Sequence, residues 1–291
     1  MSEAKDFNNI LIVGLGLIGG SIAKKLKDIS YPGKVFGLDK DIDIIKKAHQ
    51  DLLITNDNSI HIDTLDELLV IFCTPVLSFK EALELVLTLK PSDEVIFTDT
   101  LSTKSQILKI LSEDFIAVKN KFVLSHPIAG SERSGLNNSK KELFDNKVSV
   151  ISPHETNDLK DIDRIIKFWN QLGSKTKILS AKDHDVIFAK TSHLPHVISY
   201  ALTQSLFSTF HEKTFEFSGG SLEDYTRIAS SDPIMWKDIL VSNKKNIINS
   251  IGDFEEGLKQ LKQLIENQDE DGLVTYLEQI KVLRDDSIDN N

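Results

Sequence analysis

The stretch Asn9-Ile10-Leu11-Ile12-Val13-Gly14-Leu15-Gly16-Leu17-Ile18-Gly19-Gly20-Ser21 decides the fold. A short run rich in Ile leads into Gly14-x-Gly16-x-x-Gly19, and a helical pattern follows at once. Strand, tight turn and helix start in that order are what a dinucleotide requires. Gly14 permits the turn, Gly16 has no Cβ to obstruct a pyrophosphate, and Gly19 lets the helix approach the strand. Unpaired N–H groups at the helix start then face the phosphates. A glycine pattern alone is weak, but Val35-Phe36-Gly37-Leu38-Asp39 adds a second strand ending in an acid, twenty residues after Gly19. Such an acid hydrogen-bonds ribose hydroxyls and repels a 2′-phosphate, which favours NAD. Lys40 beside it leaves some tolerance for NADP.

Outward from this stretch, apolar runs alternate with helical patterns as far as Ile178, as in a doubly wound, mostly parallel sheet of the Rossmann type. Strands are expected at 52–55, 67–73, 94–98, 121–125, 148–151 and 175–179. A helix with Ile162, Ile165, Ile166, Trp169 and Leu172 on one face should stop at Gly173. From Ser180 the patterns are helical only. The expected domains are therefore a nucleotide-binding unit, 1–179, and an all-helical unit, 180–291. Ser180-x-x-Asp183 opens one helix, expected to run to about Phe210, and Asp232-Pro233 opens another. The second carries Leu240, Ile247, Ile251, Phe254, Leu258, Leu261 and Ile265 at heptad spacing. Read as an intermolecular seam, that pattern predicts a homodimer; read blandly, it is one long core helix.

Composition narrows the class. A formal charge of −10 argues against nucleic acid as the main partner, because phosphate contacts need clustered Lys and Arg. The one cysteine, Cys73, lies in a buried-strand pattern and fits a reducing compartment. The N-terminus reads as neither signal peptide nor spanning helix, so no membrane partner and a cytoplasmic location are expected.

Four polar groups sit where chemistry is possible. Ser102 follows the strand ending near Asp99, at the edge where open α/β sheets bind ligands, or it caps the next helix. His126, fixed by Pro127 and a glycine loop, is a general-base candidate or a surface histidine. His193 and His196 share a helical face; no obvious further ligand completes a metal set, so no metal is expected. Arg227 lies among small and apolar residues and suits a carboxylate, or pairs with Glu223 or Asp224.

Together the segments Val13–Ser21, His126–Glu132, Ser192–His196 and Thr226–Ala229 resemble, in order, the prephenate/arogenate dehydrogenase family of tyrosine biosynthesis. The resemblance runs from Asn9 to about Asp286. It implies NAD-dependent oxidative decarboxylation of prephenate to 4-hydroxyphenylpyruvate, or conversion of arogenate to tyrosine, by a dimer made through its helical domain. It further implies His126 as base, with Ser102 bonded to the same centre and helping to hold His126. Arg227 would bind the ring carboxylate and His196 would position the substrate, with His193 in support. Trp236 would reach the neighbouring subunit's cleft. Glu132, Asp185 and Asp224 would form an ionic gate around the Arg. Gly14, Gly16, Leu17, Ile18, Gly19, Asp39, Thr74 and Pro75 would line the cofactor. Two departures stand out: Leu101 where the family usually has Gly, and Cys73-Thr74 where small apolar residues are common. The resemblance leads one to expect no fused mutase before Ile10 and no regulatory domain after Asp286. A sensor that binds NAD(H) without turnover would not need Ser102, His126, His196 and Arg227 together. A dehydrogenase of small hydroxy acids would leave the last two motifs unexplained.

Overall fold

A computed structural model describes residues 7–57, 60–131, 133–210 and 217–289. Strand β1 (Asn9–Val13) is buried along its whole length. Its side chains alternate between two cores: Ile10 and Ile12 join one, Leu11 and Val13 the other. A strand buried on both faces needs this unbroken apolar run rather than alternation with polar residues. Helix α1 (Leu17–Asp28) follows, then β2 (Lys34–Leu38) and α2 (Ile42–Gln50). Next come β3 (Leu68–Phe72), α3 (Phe79–Thr88), β4 (Ile96–Asp99), α4 (Ser105–Asp114) and a short α5 (Ile116–Lys119). The four strands form a parallel sheet in the order β2-β1-β3-β4. Val13, Leu38, Phe72 and Asp99 end those strands in register, so the loops after them open at one edge.

A second sheet, in the order β5-β6-β7, is built from β5 (Leu124–Pro127), β6 (Val148–Ser152) and, after α6 (Leu159–Gln171), β7 (Lys175–Ile178). β5 runs antiparallel to β6, and β7 parallel to it. A single bridge between Phe97 and Phe122 links the two sheets. Gly173, with φ +95°, ends the α6 turn as expected. The expected strand at 52–55 is absent. Leu52 takes a positive φ of 55°, and the bond from Thr55 N–H to the Val35 carbonyl continues no ladder.

Beyond β7 the chain is helical: α7 (Ala181–Phe188), a π-helical turn (Ala189–His193), α8 (Leu194–Phe210), α9 (Gly220–Arg227), α10 (Pro233–Ser242), α11 (Lys244–Glu266) and α12 (Glu270–Asp289). Ser180 caps α7 through the N–H of Asp183, and Asp232 caps α10 through those of Ile234 and Met235. Asn243 breaks the long helix expected from Asp232, so α10 and α11 are separate.

By compactness the chain forms two units, Met1–Lys244 and Lys245–Asn291, and the first takes in the helices from α7 to α10. The reason lies in α7 and α10. Asp185 of α7 takes the N–H groups of Lys104 and Ser105, and Asp238 of α10 takes that of Leu77. These bonds make the first helices after β7 part of the unit that holds the sheet. In the unit Lys245–Asn291, Leu258, Ile265, Val274, Leu277, Ile280 and Leu283 are exposed. Among the described residues no helix is long and apolar enough to cross a membrane.

Candidate active site

The glycine loop has the shape a dinucleotide needs. Gly14 has φ +94°, and a Cβ there would stand 2.8 Å from the carbonyl oxygen of Cys73. A Cβ on Gly19 would fall 2.0 Å from the Gly14 carbonyl, so α1 sits against the end of β1 as only glycine permits. Gly16, the N-cap of α1, differs: a Cβ there would meet nothing within 4 Å, and the space is open. Leu17, Ile18 and Gly19 form the first turn, whose N–H groups have no intrahelical acceptor. Asp39 follows the last residue of β2 with its carboxylate turned to this loop, accepting the N–H of Leu15 at 2.7 Å and that of Asp41 at 3.0 Å. Each oxygen keeps a lone pair for a ribose hydroxyl. At the end of β3, the Thr74 hydroxyl is buried without a partner, just before Pro75 opens a 3₁₀ turn. An orphaned hydroxyl on the residue packed against the Gly14 turn is what a bound cofactor would satisfy, and the donors fit an NAD-type group. Burial pushes the neighbouring Cys73 thiol up to about 12, so it packs as an inert side chain.

The ends of β4 and β5 are tied by a buried ion pair. Lys104 bonds Asp99, and its ammonium also donates to the Ser125 carbonyl at 2.7 Å. Asp99 accepts the N–H groups of Ser125 and Leu101. Burial raises the Asp99 carboxyl and lowers the Lys104 ammonium. Leu101 turns into the core, which gives the larger side chain its place.

His126 follows Ser125 directly and is half-buried. Its Nδ1 lies 2.8 Å from Nε2 of His184, and Nδ1 of His184 lies 2.9 Å from Asp185 Oδ1. Phe188, one turn further along α7, packs on both imidazoles. Burial first, then the nearby His184, Lys104 and His193, hold His126 well below its usual range. The ring is therefore neutral at pH 7, as a base must be.

Ser102 is half-buried and makes no hydrogen bond among the described residues. It neither caps α4 nor holds His126. Asp185 supplies the cap from α7, and His184 supplies the partner of His126. Asp185 itself is buried, and its partners are His184 and two backbone N–H groups rather than Arg227. The polar start of α4 draws the carboxylate inward. Asp224 and Arg227, on α9, are both exposed. Glu132 lies outside the described residues.

His193 and His196 both meet Trp236. His193 is buried, and its Nδ1 faces the Asn243 amide nitrogen at 3.2 Å. That nitrogen also donates to the Asp185 carbonyl at 2.7 Å, which fixes its orientation. His193 thus carries its proton on Nε2, and burial pushes it down to about 4. His196 donates from Nδ1 to the Ser192 carbonyl, leaving Nε2 as an acceptor. Within its own chain Trp236 is buried against these two histidines.

Comparison with known proteins adds the family. Residues 22–178 match the nucleotide-binding domain of prephenate dehydrogenase, and 180–279 match its dimerization domain. The chain is 32% identical to the cyclohexadienyl dehydrogenase of Zymomonas mobilis, over 96% of this chain and 95% of that one. Prephenate dehydrogenase from Aquifex aeolicus, solved with hydroxyphenyl propionate and NAD+, superposes with a TM-score of 0.89 at 33% identity, covering 98% and 99% of the two chains. Arogenate dehydrogenase from Synechocystis gives a TM-score of 0.79 at 26% identity, covering 96% and 99%. The chain belongs to the prephenate dehydrogenase family.

Proposed function

We propose that this member of the prephenate dehydrogenase family converts prephenate to 4-hydroxyphenylpyruvate, with His126 as the base. More coarsely, it is an NAD-dependent dehydrogenase for prephenate- or arogenate-type substrates of aromatic amino acid biosynthesis. The observation that carries the reading of a dehydrogenase for either substrate is His126 itself. It is neutral, held through Nδ1, and set beside the strand end that carries Ser102.

NAD, when bound, supplies the hydride acceptor. As hydride leaves carbon 4 of the substrate, the O–H bond breaks and its proton passes to Nε2 of His126. The bond to the ring carboxylate then breaks and CO2 departs. The electron pair left behind completes the aromatic ring, and the phenolate takes the proton back from His126. Formation of the arene makes the sequence irreversible. A positioned base contributes roughly 10²–10⁴-fold. Arg227 holds the ring carboxylate, His196 positions the ring through its free Nε2, and His193 supports Trp236. Glu132, Asp185 and Asp224 are the acids proposed to control access; Asp185 would do so by anchoring α7 rather than by pairing with Arg227. Gly16, the first turn of α1, Asp39 and Thr74 hold the cofactor.

A second reading has arogenate as substrate, since one solved relative is an arogenate dehydrogenase. Prephenate and arogenate differ only in the side chain, pyruvyl against amino acid. The apolar residues exposed on α11 and α12 support a homodimer, and the single cysteine, Cys73, fits a cytoplasmic setting. NADH formation with prephenate and arogenate side by side, each with NAD and NADP, tests the assignment. Strong turnover of prephenate with NAD is expected. Preference for arogenate would select the second reading, and no turnover despite NAD binding would remove both.

A further inference from the structure

Two side chains stand in line behind His126: His184 and Asp185. We propose that His184 is a positioning residue that fixes the tautomer of His126, so that the chain Asp185–His184–His126 presents a bare Nε2 to the reacting hydroxyl. This rests on the reading of His126 as the base.

The argument starts at the far end. Asp185 accepts the N–H groups of Lys104 and Ser105, each at 2.8 Å, at the start of α4. Burial alone would raise its carboxyl, but the bonds from His184 and from those two N–H groups outweigh it and hold it low. The group is an ionised acceptor, so the nitrogen facing it, Nδ1 of His184, carries a hydrogen. His184 is fully buried, and burial keeps the ring neutral. Its Nε2 is therefore a lone pair. The group facing that lone pair at 2.8 Å is Nδ1 of His126, which must be the donor. A neutral His126 then has Nε2 bare.

Reversing either ring would set two lone pairs, or two hydrogens, against each other at hydrogen-bond distance. The neighbours also oppose a second proton. Lys104 faces both rings, His193 faces His126, and on the other side Asp99 and Asp185 face His184. Phe188 packs against both imidazoles and stops them turning. When Nε2 takes the substrate proton, the bond from Nδ1–H to His184 becomes charge-assisted and stronger. No proton needs to travel along the chain, because the one gained at Nε2 returns to the phenolate.

The test uses the full-length chain. Nitrogen-15 NMR of labelled histidines near pH 7.5 should show His126 protonated at Nδ1 and bare at Nε2. In His184→Leu the acceptor is gone, and the His126 population should move toward Nε2–H. Turnover of prephenate should fall about 10²-fold with KM within about twofold. His184→Gln keeps an acceptor oxygen near the position of Nε2 and should recover at least about tenfold of that loss. An Nε2–H tautomer in the unaltered protein overturns the proposal, and so do equal turnovers of the Gln and Leu variants. If His184→Leu does not fold, the NMR of the unaltered protein and the Gln variant still decide. Failure of the base reading looks different: His126→Asn would keep its turnover while the tautomer stood as described.

Discussion

The imidazole of His196 and the indole of Trp236 stack with 3.7 Å between ring centroids and 24° between planes. The pair joins α8 to α10 and leaves Trp236 Nε1 buried without an acceptor. A buried donor with nothing to donate to is costly unless a ligand completes it. Trp236→Phe keeps a ring for the stack and removes the orphaned donor. Thermal unfolding should stay within a few degrees of the parent. KM for prephenate should rise about tenfold, the worth of one hydrogen bond to a charged group. An unchanged KM would make Trp236 a packing residue only.

Two glycines five and two residues beyond Gly14 should separate cofactor binding from folding. Gly16→Ala adds a methyl to open space, so the fold should keep its stability while NAD dissociation rises about tenfold or more. Gly19→Ala drives a methyl into the Gly14 carbonyl and should cost about 3 kcal/mol in urea unfolding. Equal NAD affinity in Gly16→Ala would mean the pyrophosphate lies elsewhere.

The nucleotide-binding half was legible in the sequence because its rules are local. Gly14, Gly16 and Gly19 act within one turn, and the apolar run of β1 declares both buried faces. What joins distant segments was not legible. His184 carried no motif, since its meaning comes from His126, 58 residues away in the chain. The only hint was its place beside Asp185 on a capped helix. Lys104 carried no signal either, yet it is fully buried against Asp99. The break at Asn243 was hidden for a similar reason. The heptad spacing runs through it, while the Asn243 side chain is drawn to Asp185 and His193.

His193 should make the fold sensitive to acid. Its ordinary value of 6.5 falls to about 4 in the folded chain because of burial. Between those values the unfolded chain binds a proton that the folded chain does not, so stability rises with pH. The full contribution is present above 6.5 and is lost as pH falls toward 4, a difference of up to about 3 kcal/mol. Urea unfolding at about pH 7.5 and 4.5 should show this loss, and His193→Gln should remove about 2–3 kcal/mol of it. The same slope in the variant would assign the acid sensitivity to other groups.

Arg227 ends α9 on the exposed side of the helix, where a long side chain can reach a carboxylate without a large desolvation cost. Arg227→Ala should raise KM for prephenate about 10- to 100-fold, the range for a charge-assisted bond, with turnover changed much less. A fall in turnover at constant KM would move Arg227 from binding to the transition state.

The Lys104–Asp99 pair should matter more when broken than when replaced. Both side chains are fully buried, and the ammonium also holds the Ser125 carbonyl next to His126. Lys104→Met fills a similar volume but leaves Asp99 with only two N–H donors for a buried charge. Breaking such a pair typically costs about 3–5 kcal/mol. Removing the charge as well, in Lys104→Met with Asp99→Asn, should recover much of that loss, because no unpaired ion remains. Turnover should stay low in the double variant, since the Ser125 carbonyl beside His126 loses the ammonium that holds it. Denaturant unfolding and turnover on the three proteins check both parts. Single and double variants of equal stability would show that the Asp99 charge is satisfied without Lys104.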